Sequence, residues 1–301
     1  MVRIPTGDKG IMMKNMAVQV LDETVNFVGE SPLWHPQRNT LYWLDFPNNI
    51  LFSYQNGHAK KVKLKVMVTA LGWIDHAHLL MATSEGLFKY HIDSQVMTLI
   101  VNIEDQLTTN RSNDGRADPW GGFWVGTMNV DAKAKCGAFY RWHNGQLRKL
   151  ISELSIPNGM CFDKARAVGY FADSLEQKLY VVKLDVDTGW PTSAPTIFYD
   201  FSELAVSPDG AVVDVHGNIW IALWDGGEVM CISPQGKHLH SVDTDTPRPT
   251  CPAFGGSDAT TLFVTSAACE LDKTPVKTVQ HGTTLFYPSC CSGVFEPAVT
   301  V

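Results

Sequence analysis

No apolar run in the 301-residue sequence approaches the roughly 20 residues that a membrane-spanning helix requires. Neither sign of charge is gathered into a block: 24 Lys and Arg stand against 31 Asp and Glu, for a net charge of −7. Nucleic acids and anionic membranes demand a concentrated basic face, so neither is an expected partner. The seven cysteines (Cys136, Cys161, Cys231, Cys251, Cys269, Cys290 and Cys291) include no CxxC pair and are odd in number. That excludes a zinc knuckle and a complete disulfide framework. Several lie in apolar runs as small buried hydrophobes, so all are expected to be reduced, with the adjacent Cys290-Cys291 the pair most open to oxidation. No GxSxG elbow is present to supply a serine nucleophile. Met1 to Asn15 carries scattered charges without an apolar core, which does not read as a secretory signal. Residues 1–15 are expected to be a disordered leader or a vector remnant, residues 16–301 one domain, and the compartment cytoplasmic.

Helical periodicity is nearly absent as well. In its place are short runs of Val, Leu, Ile, Phe, Tyr and Trp, interrupted about every 8–12 residues by Gly, Pro, Asn and Asp. These runs repeat. Six segments, beginning at Gly29, Ala70, Asn113, Asn158, Asp209 and Thr250, each hold a small-residue opening, a short apolar strand, a turn and a strong strand. The strong strands are LYWLD, LLMAT, FWVGT, GYFAD, IWIAL and LFVTS. Third strands follow as ILFSYQ, LFKYHI, KLYVVKL and EVMCIS, and the third copy reaches GAFYRW after an insertion. A period of about 40–50 residues is that of a four-stranded propeller blade. A TIM barrel would need helices between its strands. The expected fold is therefore all-β, a six-bladed β-propeller around a central metal channel, with Ala17–Leu21 completing the last blade so that no long edge stays open.

In a propeller the innermost strands line the channel, and equivalent positions on them form a ring. The opening positions are Glu30, Ala70, Asn113, Asn158, Asp209 and Thr250. Five residues later come His35, Asp75, Asp118, Asp163, Asp214 and Gly255, mostly the Asp that a strand-to-strand turn favours. The ring would thus gather two carboxylates and two carboxamides. Like charges a few Å apart resist joint ionisation, and one divalent cation resolves the conflict. Oxygen donors suit calcium first, with magnesium and manganese close behind and zinc also able to take carboxylates.

The chain resembles the SMP-30/gluconolactonase/LRE-like family of regucalcins and sugar lactonases. The resemblance rests on GESPLW at Gly29–Trp34, RSNDGR at Arg111–Arg116, FWVGTM at Phe123–Met128, IPNGM at Ile156–Met160 and YFADS at Tyr170–Ser174. SPDGAVVDVHGNIWIALWDGG at Ser207–Gly227 and TCPAFGGSDATTLFVTSA at Thr250–Ala267 extend it. The resemblance implies a six-bladed propeller whose single divalent cation is held at Glu30, Asn158 and Asp209. It places Asn113 beside the metal, against water or substrate, and Arg111 on a substrate oxygen. The chain departs from the family after GTM, with Asn129-Val130-Asp131 where acidic residues are usual, and in its tail from His281 to Val301.

The activity implied is hydrolysis of a sugar (aldono) lactone to the aldonic acid, with a metal-polarised carbonyl and a water activated by Asp209. Arg111 and Asn113 would steady the developing oxyanion. Two other readings stay open: a non-catalytic calcium- or ligand-binding propeller, and a hydrolase of another ester such as a phosphotriester or an acyl-homoserine lactone. The polar loops Asp131–Lys135 and Asp272–Lys277 favour a hydrophilic sugar lactone as the small-molecule partner. His76, His78 and His216 fall in turns. Trp224 either borders the channel mouth or fills a blade core, and Cys251 sits beside the ring position Thr250. A monomer or dimer is expected.

Overall fold

In the computed structural model the described residues are 17–271 and 273–301; the leader read at 1–15 lies outside them. Among the described residues, 24 strands form six four-stranded antiparallel sheets. The one helical segment among the described residues is the 3-10 turn Ser202–Leu204, and no helix is long and apolar enough to cross a membrane. Six inner strands stand around a common axis: Gly29–His35, Val68–Asp75, Asn110–Ala117, Pro157–Asp163, Ser207–Val213 and Pro249–Gly255. Each packs against the inner strands on either side of it. The third copy does reach a third strand at Gly137–His143. The sixth sheet is closed from the other end of the chain, where Gln19–Asp22 pairs with Thr284–Tyr287.

The core is divided into six parts, one at each junction between neighbouring sheets, because side chains on a strand alternate between its two faces. Leu33, Tyr42 and Leu44 pack with Leu71, Leu79 and Met81 toward the second blade. Their immediate neighbours Trp34, Leu41 and Trp43 turn the opposite way and pack with Phe263 of the sixth. Val125 likewise faces the second blade and Trp124 the fourth. The second strand of each blade is thus apolar on both faces, which is why those runs read as continuous hydrophobic blocks.

The turn aspartates are structural. Asp118 accepts hydrogen bonds from the backbone N–H of Trp120 (2.9 Å) and Gly122 (3.0 Å) and from the Trp124 indole (3.1 Å). Asp214 repeats this with His216, Asn218 and the Trp220 indole. His76 and His216 are exposed in such turns, and His78 pairs with Asp75 at 2.8 Å. All seven cysteines are free thiols; Cys136 is exposed, Cys291 half-buried, and the other five buried.

The tail runs as a strap beneath the propeller. Ser292 accepts from Val215 N, Gly293 donates to Ala259 O, Val299 donates to Trp73 O and Thr300 donates to Gly121 O. The strap therefore leaves the fifth and sixth blades and ends on the second and third. Gly293 is required for its path, since a Cβ there would stand 2.2 Å from Cγ of Phe254. Val294 to Pro297 cross the axis, leaving a space of about 70 Å³ against Trp34, Arg116, Phe162 and Phe254.

Asp118 also meets Arg141 at 2.6 Å, with both side chains 0% exposed. Removing one partner of a buried pair strands the other's charge. Asp118→Ala should cost about 3–5 kcal/mol of stability in urea unfolding, and a loss below about 1 kcal/mol would contradict the structural role.

Candidate functional site

In every blade the inner strand slips by one residue against its neighbour, and the slip falls at the ring. It lies between Glu30 and Leu33, Val68 and Ala70, Ser112 and Gly115, Asn158 and Cys161, Pro208 and Ala211, and Pro249 and Pro252. Such bulges bend a strand and re-aim its side chains. Glu30 and Asn158 are the last residues paired before their bulges, while Asn113, Asp209 and Thr250 lie within theirs. The residues after Glu30 and Asn158 both carry positive φ, Ser31 at 50° and Gly159 at 60°. A Cβ on Gly159 would sit 2.8 Å from the carbonyl oxygen of Asp209, so two motifs meet there backbone to backbone. Ser31 accepts this conformation while its hydroxyl receives Leu71 N at 2.8 Å and its own N–H binds Glu30 Oε2 at 2.9 Å.

These side chains open on one cavity of about 310 Å³. Glu30, Arg111, Asn113, Asn158 and Asp209 all line it, with Asp114, Thr69, Ser174 and Ser207 among them. The second blade departs from the repeat alignment. Its bulge is shorter, so Ala70 falls past it into the core and Thr69 takes the place at the cavity. Thr250 is buried, donating to Gly29 O at 2.6 Å, and does not line the cavity.

The floor is tightly ordered. Asn113 Nδ2 donates to Asn158 Oδ1 (2.8 Å) and Pro157 O (3.0 Å), and its Oδ1 accepts from Arg111 Nη1 (2.9 Å). Asn158 Nδ2 donates to Ser174 Oγ at 2.8 Å, and that hydroxyl donates to Pro208 O at 2.7 Å. Ser174 thereby decides which end of the Asn158 amide is its oxygen face. Arg111 lies over Phe46 at 5.3 Å, a cation–π contact that holds the guanidinium at the rim.

Three carboxylates crowd this floor. Burial, then the charge of Asp114, pushes Glu30 up to about 8. Burial, then Glu30 and Asp114, holds Asp209 well above the usual carboxylate range. Burial raises Asp114 also, against the pull of Arg116 and the N–H groups of Gly115 and Met160. Among the described residues neither Glu30 nor Asp209 forms an ion pair. No three His, Cys, Asp or Glu side chains among the described residues are placed as a ready metal cage. The set here is two carboxylates and an amide, all hard oxygen donors of the kind divalent cations take.

Sequence reasoning missed several lining residues. Asp114 follows Asn113 in an Asn-Asp-Gly run that reads as turn chemistry. Phe46, Met128, Ile156 and Leu175 reach the cavity from strand ends and carry no signal of their own. Trp224, left open between core and mouth, lines the cavity, with Arg248 over its ring at 4.7 Å. The polar loop 131–135 and the described part of 272–277 do not line it; apolar Phe46, Met128, Leu175 and Trp224 border it together with Arg111. His76, His78, His216 and Cys251 lie away from it.

Comparison with known proteins gives the arrangement a context. The family model described as SMP-30/Gluconolactonase/LRE-like region matches residues 28–268. A pentonolactonase of Haloferax volcanii is 33% identical over 261 residues, which cover 85% of this chain and 87% of that protein. A 6-deoxy-6-sulfogluconolactonase of Pseudomonas putida is 30% identical over 278 residues, 89% of this chain and 94% of that one. The crystal structure of a calcium-binding protein, regucalcin, from Agrobacterium tumefaciens superposes with a TM-score of 0.91 at 36% identity, covering 95% and 98% of the two chains.

The raised carboxyls have a consequence for the metal-free protein. A carboxyl whose pKa is higher folded than unfolded favours folding while protonated, and that advantage is lost as pH rises from the ordinary value of 4.5 through about 8 for Glu30. Between about pH 5 and pH 8, chelator-treated protein should therefore lose stability relative to Glu30→Gln, measured as the difference in melting temperature. A difference that stays constant over that interval would contradict the crowding of charge.

Proposed function

The chain belongs to the SMP-30/gluconolactonase/LRE-like family, and on that premise we propose that it hydrolyses a sugar lactone at the axial cavity. The observation that supports this most is the meeting of Glu30, Asn158 and Asp209 with Arg111 and Asn113 on one cavity. The residues fit a divalent cation: their donors are hard oxygens, and two raised carboxyls await a compensating charge. Glu30, Asn158 and Asp209 would hold it, with calcium the first candidate and zinc, magnesium or manganese the others. When bound, such a cation polarises a carbonyl and lowers the pKa of water.

The chain's own residues would do the rest. Asp209 takes a proton from the water as its oxygen attacks the lactone carbonyl carbon. The ring C–O bond then breaks, and the proton passes to the departing alkoxide, leaving the hydroxy acid. Arg111 donates to the developing oxyanion with the N–H groups not used on Ser112 O and Asn113 Oδ1. Asn113 keeps the Asn158 oxygen in place. Phe46, Met128 and Trp224 present apolar surface to the C–H face of the ring and keep bulk water off the site.

A binding-protein reading competes, supported by the name of the Agrobacterium structure as a calcium-binding protein. The two readings part in one experiment. Chelator-stripped protein is assayed with a pH indicator on gluconolactone, galactonolactone, xylonolactone and arabinonolactone, with calcium, magnesium, manganese or zinc restored singly. Turnover that returns with metal and is absent in Glu30→Ala supports the lactonase; tight metal binding without turnover favours the binding protein. Asp209→Asn should lower kcat by about 10²–10⁴-fold, the usual worth of a general base, and full activity in that variant overturns its role. Arg111→Met should lower kcat/KM by at least about tenfold, the scale of a lost charged hydrogen bond; unchanged kinetics would remove Arg111 from the site.

A further inference from the structure

Beneath the carboxylates of the cavity the channel holds a second charged layer. Arg116 lies two residues beyond Asp114 on the same inner strand, and its Nη1 stands 2.6 Å from Glu296 Oε2 of the strap. The two side chains are 9% and 10% exposed. Glu296 Oε1 also accepts from Ala117 N at 3.4 Å, and its carbonyl oxygen receives the Trp73 indole at 2.7 Å. Arg116 Nη2 reaches Cys251 Sγ at 3.5 Å, and its Nε has no partner. A buried ion pair gains little stability over apolar packing, so its place at the axis calls for another reason.

Charge supplies that reason. Along the channel four carboxylates, Glu30, Asp114, Asp209 and Glu296, share two guanidiniums, Arg111 and Arg116. The deficit is two positive charges, which a single divalent cation makes good. Arg116 joins the two layers, two residues from Asp114 on one inner strand and 2.6 Å from Glu296 of the strap. Left unpaired, that guanidinium would repel a cation above it through a low-dielectric interior.

We propose that the C-terminal strap belongs to the cation site, with Glu296 as a positioning residue that holds and neutralises Arg116 from the far side of the channel and so sets cation affinity. The proposal rests on the reading of Glu30, Asn158 and Asp209 as the ligands. It gives the tail a share in the chemistry without touching substrate.

The test is calorimetric titration of chelator-stripped full-length protein with calcium alone and with manganese alone. Wild type, Glu296→Gln and the double variant Arg116→Met/Glu296→Gln are compared, with melting temperatures measured in parallel. Glu296→Gln should bind at least tenfold more weakly, about 1.4 kcal/mol. The double variant should recover to within about threefold of wild type, because both charges leave together and apolar replacement of a buried pair is tolerated. Wild-type affinity in Glu296→Gln overturns the proposal. So does a double variant as weak as the single, since that would make the strap a mechanical prop. A wild-type protein that binds neither ion overturns the cation-site reading itself, an outcome distinct from both.

Discussion

A ring of sheets has no interior until its ends meet, and here they meet where Gln19–Asp22 pairs antiparallel with Thr284–Tyr287. Asn26 reinforces that seam, its side-chain amide donating to Gly282 O at 2.7 Å and its Oδ1 accepting from the Trp43 indole. Each sheet buries both faces against neighbours, so opening one junction exposes apolar surface on two blades. Stability is therefore shared around the ring. The axis inherits it: carboxylates that would repel one another apart are held together because the six inner strands cannot separate singly.

Within that ring the bulges do what pairing alone does not. A regular strand would send successive side chains alternately into two inter-blade cores, with none aimed along the axis. A one-residue slip at the same height in each blade frees Glu30, Asn113, Asn158 and Asp209 to meet. Ser31 takes positive φ, the kind of strain that persists where surrounding structure enforces it, while Gly159 adopts it without steric cost. The strap crosses the opposite end of the channel, against Trp34, Arg116, Phe162 and Phe254.

That cavity has a polar floor and a largely apolar rim broken by Arg111. The floor's amides are already committed to one another, which fixes their geometry before any ligand arrives. Around Arg111, the apolar side chains of Phe46, Met128, Leu175 and Trp224 offer shape and stacking rather than hydrogen bonds. Relatives named for lactones of different sugars match this chain at about one-third identity over most of its length. Fold alone would not have decided between such functions.

The sequence by itself determined the blade count, the closing strand and the ring of oxygen-bearing residues, because each is repeated six times or follows from a fixed period, and repetition is visible without coordinates. The turn aspartates were legible for the same reason. Asp114 was not, since Asn-Asp-Gly reads locally as a turn, and only the bulge shows that its carboxylate joins Glu30 and Asp209. Thr69 was hidden by the shorter slip in the second blade, which the five-residue alignment could not see. Phe46, Leu175 and Trp224 sit at strand ends, where no periodicity says which way a side chain points. The partnership of Arg116 with Glu296 spans 180 residues and depends on the strap's path over Gly293. Only the tertiary structure decided these, because they are contacts across the ring, and a contact across a closed ring leaves no trace in the local order of the chain.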